Sequence, residues 1–198
     1  MVGEPIKLWT VMKDGKLSPE ARAQIKAELK ACHAPLGAVL AIDPGPKLSA
    51  VVWLIDGRPV TYDKVPNVDA LRLVQTYDAY PLVVEMVASY GMAVGAEVFD
   101  TCVFIGQLCE RKIATSKIQL PPFLLRRADV KYHLCGRTSK VNDSVIRQNM
   151  IDRFGGKNEA IGTKSKPGCC YGMSKDTWQA LALACTANDL FTAKRGGA

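Results

Sequence analysis

A chain of 198 residues, 48% hydrophobic and 23% charged, has the balance of one ordinary globular domain with a full core. No apolar run approaches the roughly 20 residues needed to cross a bilayer, and the N-terminus lacks the long apolar stretch of a secretory signal. A membrane-spanning or secreted protein is therefore not expected, and a cytoplasmic location with no membrane partner is. The seven cysteines are odd in number and form no Cys-x-x-Cys pair, so they read as reduced thiols and not as a disulfide or zinc framework.

Residues 1–35 read as an N-terminal helical extension. Ser18-Pro19-Glu20 is a helix start, with a capping hydroxyl, proline at the first helical position and an acid in the first turn. The helix should end near His33, because Pro35 disfavours helical geometry just before it. From residue 36 the pattern changes to that of a second unit, 36–198. LGAVLAID is an apolar run closed by Asp43, as in a strand buried on both faces. LSAVVWLI and RPVTYDKV flank Asp56-Gly57, a hairpin signal. VDALRLVQTYD predicts a short helix, and PLVVEMV a second buried strand carrying Glu85.

AEVFDTCVFIGQLCERKI has apolar residues at helical spacing, among them Val98, Cys102, Ile105 and Leu108, and Phe99 and Phe104 are expected in the core. IQLP predicts a short strand. RRADVKYHLCG and NDSVIRQNMIDRFGG predict two helices, each closed by glycine, the second capped by Asn142 or Asp143. After a Gly/Lys-rich loop comes a final helix around KDTWQALALACTANDL, with Trp178 and Leu181 in the core. A β-meander followed by alternating strands and helices predicts an α/β domain with a mixed sheet.

Asp43, Glu85 and Asp176 end or open these elements. A carboxylate buried at the end of an apolar strand is costly unless it is paired or binds a cation. Three such acids from remote segments point to one shared cation site of hard oxygen ligands, hence Mg²⁺ or Mn²⁺. Singly, Asp43 before Pro-Gly reads as a turn former, and Asp176 as an acid at a helix N-terminus. Glu85, inside VVEMV, has no such ordinary explanation.

The net charge of +7 is unevenly placed. Residues 111–140 hold eight basic residues against one acid, Asp129, and a second basic cluster follows at Lys157, Lys164, Lys166 and Lys175. Two basic clusters flanking an acidic centre suit a polyanionic substrate.

Together these motifs resemble the RuvC-type Holliday junction resolvases of the RNase H-like superfamily, and within them the phage-encoded branch. AIDPG resembles the first-strand motif, VVEMVASYGMAVGAEVF the second and SKDTWQALALA the closing one, over residues 36–192. The resemblance implies an RNase H-like fold with a mixed five-stranded sheet flanked by helices. It also implies an endonuclease that resolves four-way DNA junctions with two Mg²⁺ (or Mn²⁺) ions per site, acting as a homodimer in a bacterial or phage-infected cytoplasm. Asp43, Glu85 and Asp176 would be catalytic and metal-binding. Where cellular members carry a second acid three residues into the closing motif, this chain has Gln179, which would be a neutral metal ligand. Arg126, Arg127, Lys131, Arg137, Lys140, Lys164, Lys166 and Lys175 would contact DNA, with Tyr90 stacking at the branch point. Flaps, forks or other branched nucleic acids are alternative substrates, and a DNA-binding module without catalysis is the alternative of another class.

Overall fold

The computed structural model describes residues 6–7, 12–13, 16–31, 37–88, 91, 93–116 and 120–192. In chain order the elements are β1 (Ile6–Lys7), β2 (Met12–Lys13), β3 (Lys16–Leu17), α1 (Pro19–Ala31), β4 (Ala38–Asp43), β5 (Leu48–Ile55), β6 (Arg58–Pro66), α2 (Asn67–Thr76), β7 (Leu82–Met86), α3 (Ala96–Thr115), β8 (Phe123–Arg126), α4 (Arg127–Cys135), α5 (Asp143–Arg153), α6 (Lys157–Ala160) and α7 (Lys175–Thr192).

Five strands in the order β8-β7-β4-β5-β6 make the mixed sheet that the motifs predict, and β1 adds two residues in parallel at the β8 edge. The β5–β6 hairpin turns on Asp56 and Gly57, both at positive φ (49° and 74°). That geometry matches strand twist and favours Asp-Gly. β4, β7 and β8 run parallel, so their carboxyl ends point the same way.

β4 is buried on both faces, as its unbroken apolar run requires. Val39 and Ala41 face a core shared with α5 and α7, and Leu40 and Ile42 face one shared with α2 and α3. The result is three layers, helix–sheet–helix. α7 lies across β4 and β5 with nearly every residue from Thr177 to Phe191 buried. Its alanines let it sit close between the sheet and α5, which is why it is apolar all round and not amphipathic. Ile25 of α1 also enters this core. Among the described residues no helix is long and apolar enough to cross a membrane.

Three expectations change. Phe99 is 61% exposed, because α3 turns Thr101, Phe104, Ile105, Leu108 and Cys109 inward and leaves Phe99 and Val103 on its opposite face. Leu120 and Pro121 of the strand expected at IQLP are in no strand, while Ile118 and Gln119 lie outside the described residues; a strand runs at Phe123–Arg126, after Pro121-Pro122, whose missing N–H groups unsuit them to a sheet ladder. Lys112, counted above with the basic stretch, is fully buried. Its Nζ donates to the carbonyls of Asp78 (2.5 Å) and Tyr80 (2.7 Å), and burial pushes its pKa down to about 8.

Lys112 thus ties α3 to the turn that feeds β7. Lys112→Met should lower stability by about 2 kcal/mol, since the two carbonyls lose their donor while bulk is kept. Urea unfolding measures this, and an unchanged midpoint would mean that the strut contributes nothing.

Candidate active site

The β4–β7 register is Leu40↔Leu82, Ala41↔Val83 and Ile42↔Val84; one step further brings Asp43 beside Glu85. In parallel strands such neighbours share a face, and both carboxylates follow Ala41 and Val83 toward α7. Asp43 is followed by a Pro-Gly-Pro turn. A Cβ on Gly45 would stand 2.6 Å from the Leu48 carbonyl, so only glycine lets this turn close. Asn67 braces it, donating from Nδ2 to the Gly45 carbonyl (3.0 Å) and accepting at Oδ1 from Ser49 Oγ (2.8 Å).

Asp176 enters from above, in the first turn of α7. Ser174 Oγ caps that helix by accepting from Thr177 N–H at 3.3 Å. Asp43 and Asp176 line one cleft of about 460 Å³, together with Lys47, Lys64, Glu97 and Asp100. Lys64 Nζ reaches Asp176 Oδ2 at 2.5 Å.

A fourth acid belongs to the group. Asp143, at the start of α5, shares the guanidinium of Arg127 with Glu85: Nη1 lies 3.3 Å from Glu85 Oε2, and Nη2 lies 2.7 Å from Asp143 Oδ1. Lys175 Nζ adds a contact to Asp143 Oδ2 at 3.1 Å. Burial raises the Asp143 carboxyl, but the hydrogen bonds from Arg127 and Lys175 outweigh it and hold the pKa below the usual range. Burial pushes Glu85 upward, with Arg127 partly offsetting the effect. Asp43 is pushed up to about 7, first by burial, then by Glu85, with smaller contributions from Asp176 and Asp143; Arg127 opposes them. The Asp43 carboxylate makes no hydrogen bond or ion pair among the described residues.

These observations test the fit to a hard divalent cation. Repelling oxygen donors around one carboxylate without a partner are the donor set such an ion takes. The donors are not pre-assembled, however. Among the described residues no three acidic, histidine or cysteine side chains are grouped as a metal site, and Glu85 and Asp176 are each held by a base. The residues fit a cation that competes with Arg127 and Lys64 for them.

Gln179 does not line the Asp43–Asp176 cleft. It lines a neighbouring one, between α5 and α7, with Asp143, Arg147 and Lys175. Of the basic residues expected at DNA, Arg137, Lys140, Lys164 and Lys166 are exposed, the last two on a tight turn in which the backbones of Thr163 and Lys166 exchange hydrogen bonds. Lys131 lies close enough to act on Glu85. Arg126 is bound to Asp129 through two contacts of 2.9 Å, and Arg127 faces the acids. Tyr90 lies outside the described residues.

Sequence reasoning missed Lys64, Asp143 and the inward role of Arg127. A signal for Lys64 existed. Asp43 pairs with Ala50 and Ala50 with Lys64, so the three stand in line across β4, β5 and β6.

No protein-family model and no curated protein sequence matches the chain. Solved structures do. RuvC from Thermus thermophilus matches with a TM-score of 0.53 at 15% identity, over 77% of this chain and 94% of that one. The fold is that of RuvC, an RNase H-like fold. T. thermophilus RuvC in complex with a Holliday junction substrate matches with a TM-score of 0.51 at 14% identity, over 79% of this chain and 96% of that one.

The raised pKa of Asp43 has a consequence for stability. The folded state binds a proton more tightly than the unfolded chain, so stability falls as pH rises from about 4 to about 7 and then levels. In EDTA, Asp43→Asn should therefore melt at least about 3 °C above the wild type at pH 8, the gain vanishing near pH 4. A lower melting temperature at pH 8 would show that Asp43 is satisfied by a partner in the native protein.

Proposed function

We propose that this chain is a structure-selective endonuclease that hydrolyses phosphodiester bonds in branched DNA, four-way junctions foremost, with Mg²⁺ or Mn²⁺ as cofactor. What supports this reading is the placement of Asp43 beside Glu85 at the carboxyl ends of β4 and β7 and its sharing of one cleft with Asp176, three acids from remote segments of a RuvC-like fold. A solved structure of the same fold holds a Holliday junction, which supports the choice of substrate.

Asp43, Glu85 and Asp176 would hold the metal, with Asp43 between the other two. Divalent ions held there would supply activation of a water nucleophile and stabilisation of a leaving 3′ oxygen. The chain's own part is to orient and to neutralise. Arg127 fixes Glu85 from the β8–α4 junction, and Lys64 steadies Asp176 at the cleft wall. The exposed cations Arg137, Lys140, Lys164 and Lys166 would take backbone phosphates, which position the substrate without reading it.

A homodimer would match the two-fold symmetry of a junction. The exposed Phe99 and Val103, one turn apart on α3, are a suitable apolar contact.

With a labelled junction and Mg²⁺ or Mn²⁺, paired nicks are expected, and Asp43→Asn, Glu85→Gln or Asp176→Asn should each lower the rate by at least about a hundredfold. Equal cutting of linear duplex would remove the junction preference, and binding without cutting in either metal would make the chain a binding module. Phe99→Glu should convert a dimer to a monomer in sedimentation analysis; a wild-type monomer at all concentrations would refute the dimer.

A further inference from the structure

We infer that the cleft between α5 and α7 is a nucleobase subsite in which the amide of Gln179 reads one unpaired base of the substrate strand, an assignment that rests on the nuclease function proposed above. The cleft holds about 350 Å³. Gln179 lines it, although only 4% of the residue is exposed. Its side-chain amide makes no hydrogen bond among the described residues, yet it is not among the polar atoms sealed away from solvent. An amide that is open to the cleft and has no protein partner keeps both its donor and its acceptor free for a ligand that offers one of each.

The surroundings select the ligand. Met173 and Trp178 give apolar walls, and the Arg147 guanidinium lies 5.2 Å from the centre of the indole ring. A planar heterocycle stacks well on a guanidinium plane. Arg147 and Lys175 are exposed cations at the mouth, where phosphates on either side of a base would lie. The one acid of the cleft, Asp143, is already neutralised by Arg127 and Lys175, so the opening is net positive. A metal ion would find the reverse there: one committed carboxylate and two cations.

The space suits a single base and not a duplex, so the base must be out of its stack, which costs least where pairing is already broken. Lys175 precedes Asp176 in the chain, so a base held here belongs to a nucleotide close to the cleavage point. An amide pairs best with adenine, whose edge sets the N7 acceptor beside the N6 donor.

The probe is a set of four fluorescein-labelled pentanucleotides, TTXTT, with X each of the four bases, titrated in EDTA by fluorescence anisotropy. Wild-type protein should bind TTATT at least about fivefold tighter than the others, the low end of what a bidentate pair discriminates. Gln179→Leu should bring all four within about twofold, and Gln179→Glu should move the preference to cytosine, whose N4 donates. Arg147→Ala should weaken all four together and keep their order. Calorimetric titration with Mn²⁺ should give the same affinity for Gln179→Leu as for wild type. Equal binding of the four by wild type, a preference that survives Gln179→Leu, or loss of Mn²⁺ binding in that variant would each overturn the subsite. A protein that prefers TTATT but cuts no junction keeps the subsite and loses the nuclease assignment. One that cuts junctions and binds all four alike loses the subsite alone.

Discussion

The parallel pairing of β4 with β7 is the constraint on which the rest depends. It sets two carboxylates side by side at the ends of buried strands, with one apolar helix lying over them. Neither strand can slip by one residue to separate Asp43 from Glu85, because a slip would also turn Val39, Ala41 and Val83 out of one core and into the other. Packing that is worth many kcal/mol therefore enforces a local repulsion that costs a few. Strain of this kind is retained where a site needs it.

The surrounding charges follow from that pairing. Four acids, Asp43, Glu85, Asp143 and Asp176, lie around three bases, Arg127, Lys64 and Lys175, and each base comes from a different element: α4, β6 and α7. Asp43 is the one acid of the four without a base of its own. It is also the one whose pKa is pushed up to about 7. The clefts divide in the same way: acids and Lys64 on the β4 side of the start of α7, an amide and two exposed cations on the α5 side.

Much of this was legible in the sequence, for reasons that differ by element. The apolar runs ending in Asp43 and Glu85 could only be doubly buried strands, and Asp56-Gly57 could only be a tight turn. The α/β class followed. What was not legible depends on long-range placement. Nothing local distinguishes Phe99 from Phe104, because α3 has apolar residues on both sides and only its packing on α2 and the sheet chooses between them. Lys112 and Arg127 look like members of a surface run; one is a buried strut and the other an internal counter-ion, and the partners that make them so, Asp78 for Lys112 and Glu85 for Arg127, lie more than 30 residues away in the chain. Asp143 reads in sequence as a helix-cap residue, and its second role appears only once α4 is set beside α5.

Arg127 has a meaning for the order of events in the life of the protein. Many sites of clustered carboxylates hold together only when a cation arrives, and such chains depend on metal supply in order to fold. Here a guanidinium already spans Glu85 and Asp143, Lys175 adds a second contact to Asp143, and Lys64 reaches Asp176, so that of the four acids Asp43 alone has no base. The chain carries its own provisional cation. On the metal-dependent reading proposed above, it would fold and stay intact where free divalent metal is scarce, and the acids would change partners only when an ion enters. Assembly and activation would then be separate steps, with one arginine as the placeholder between them.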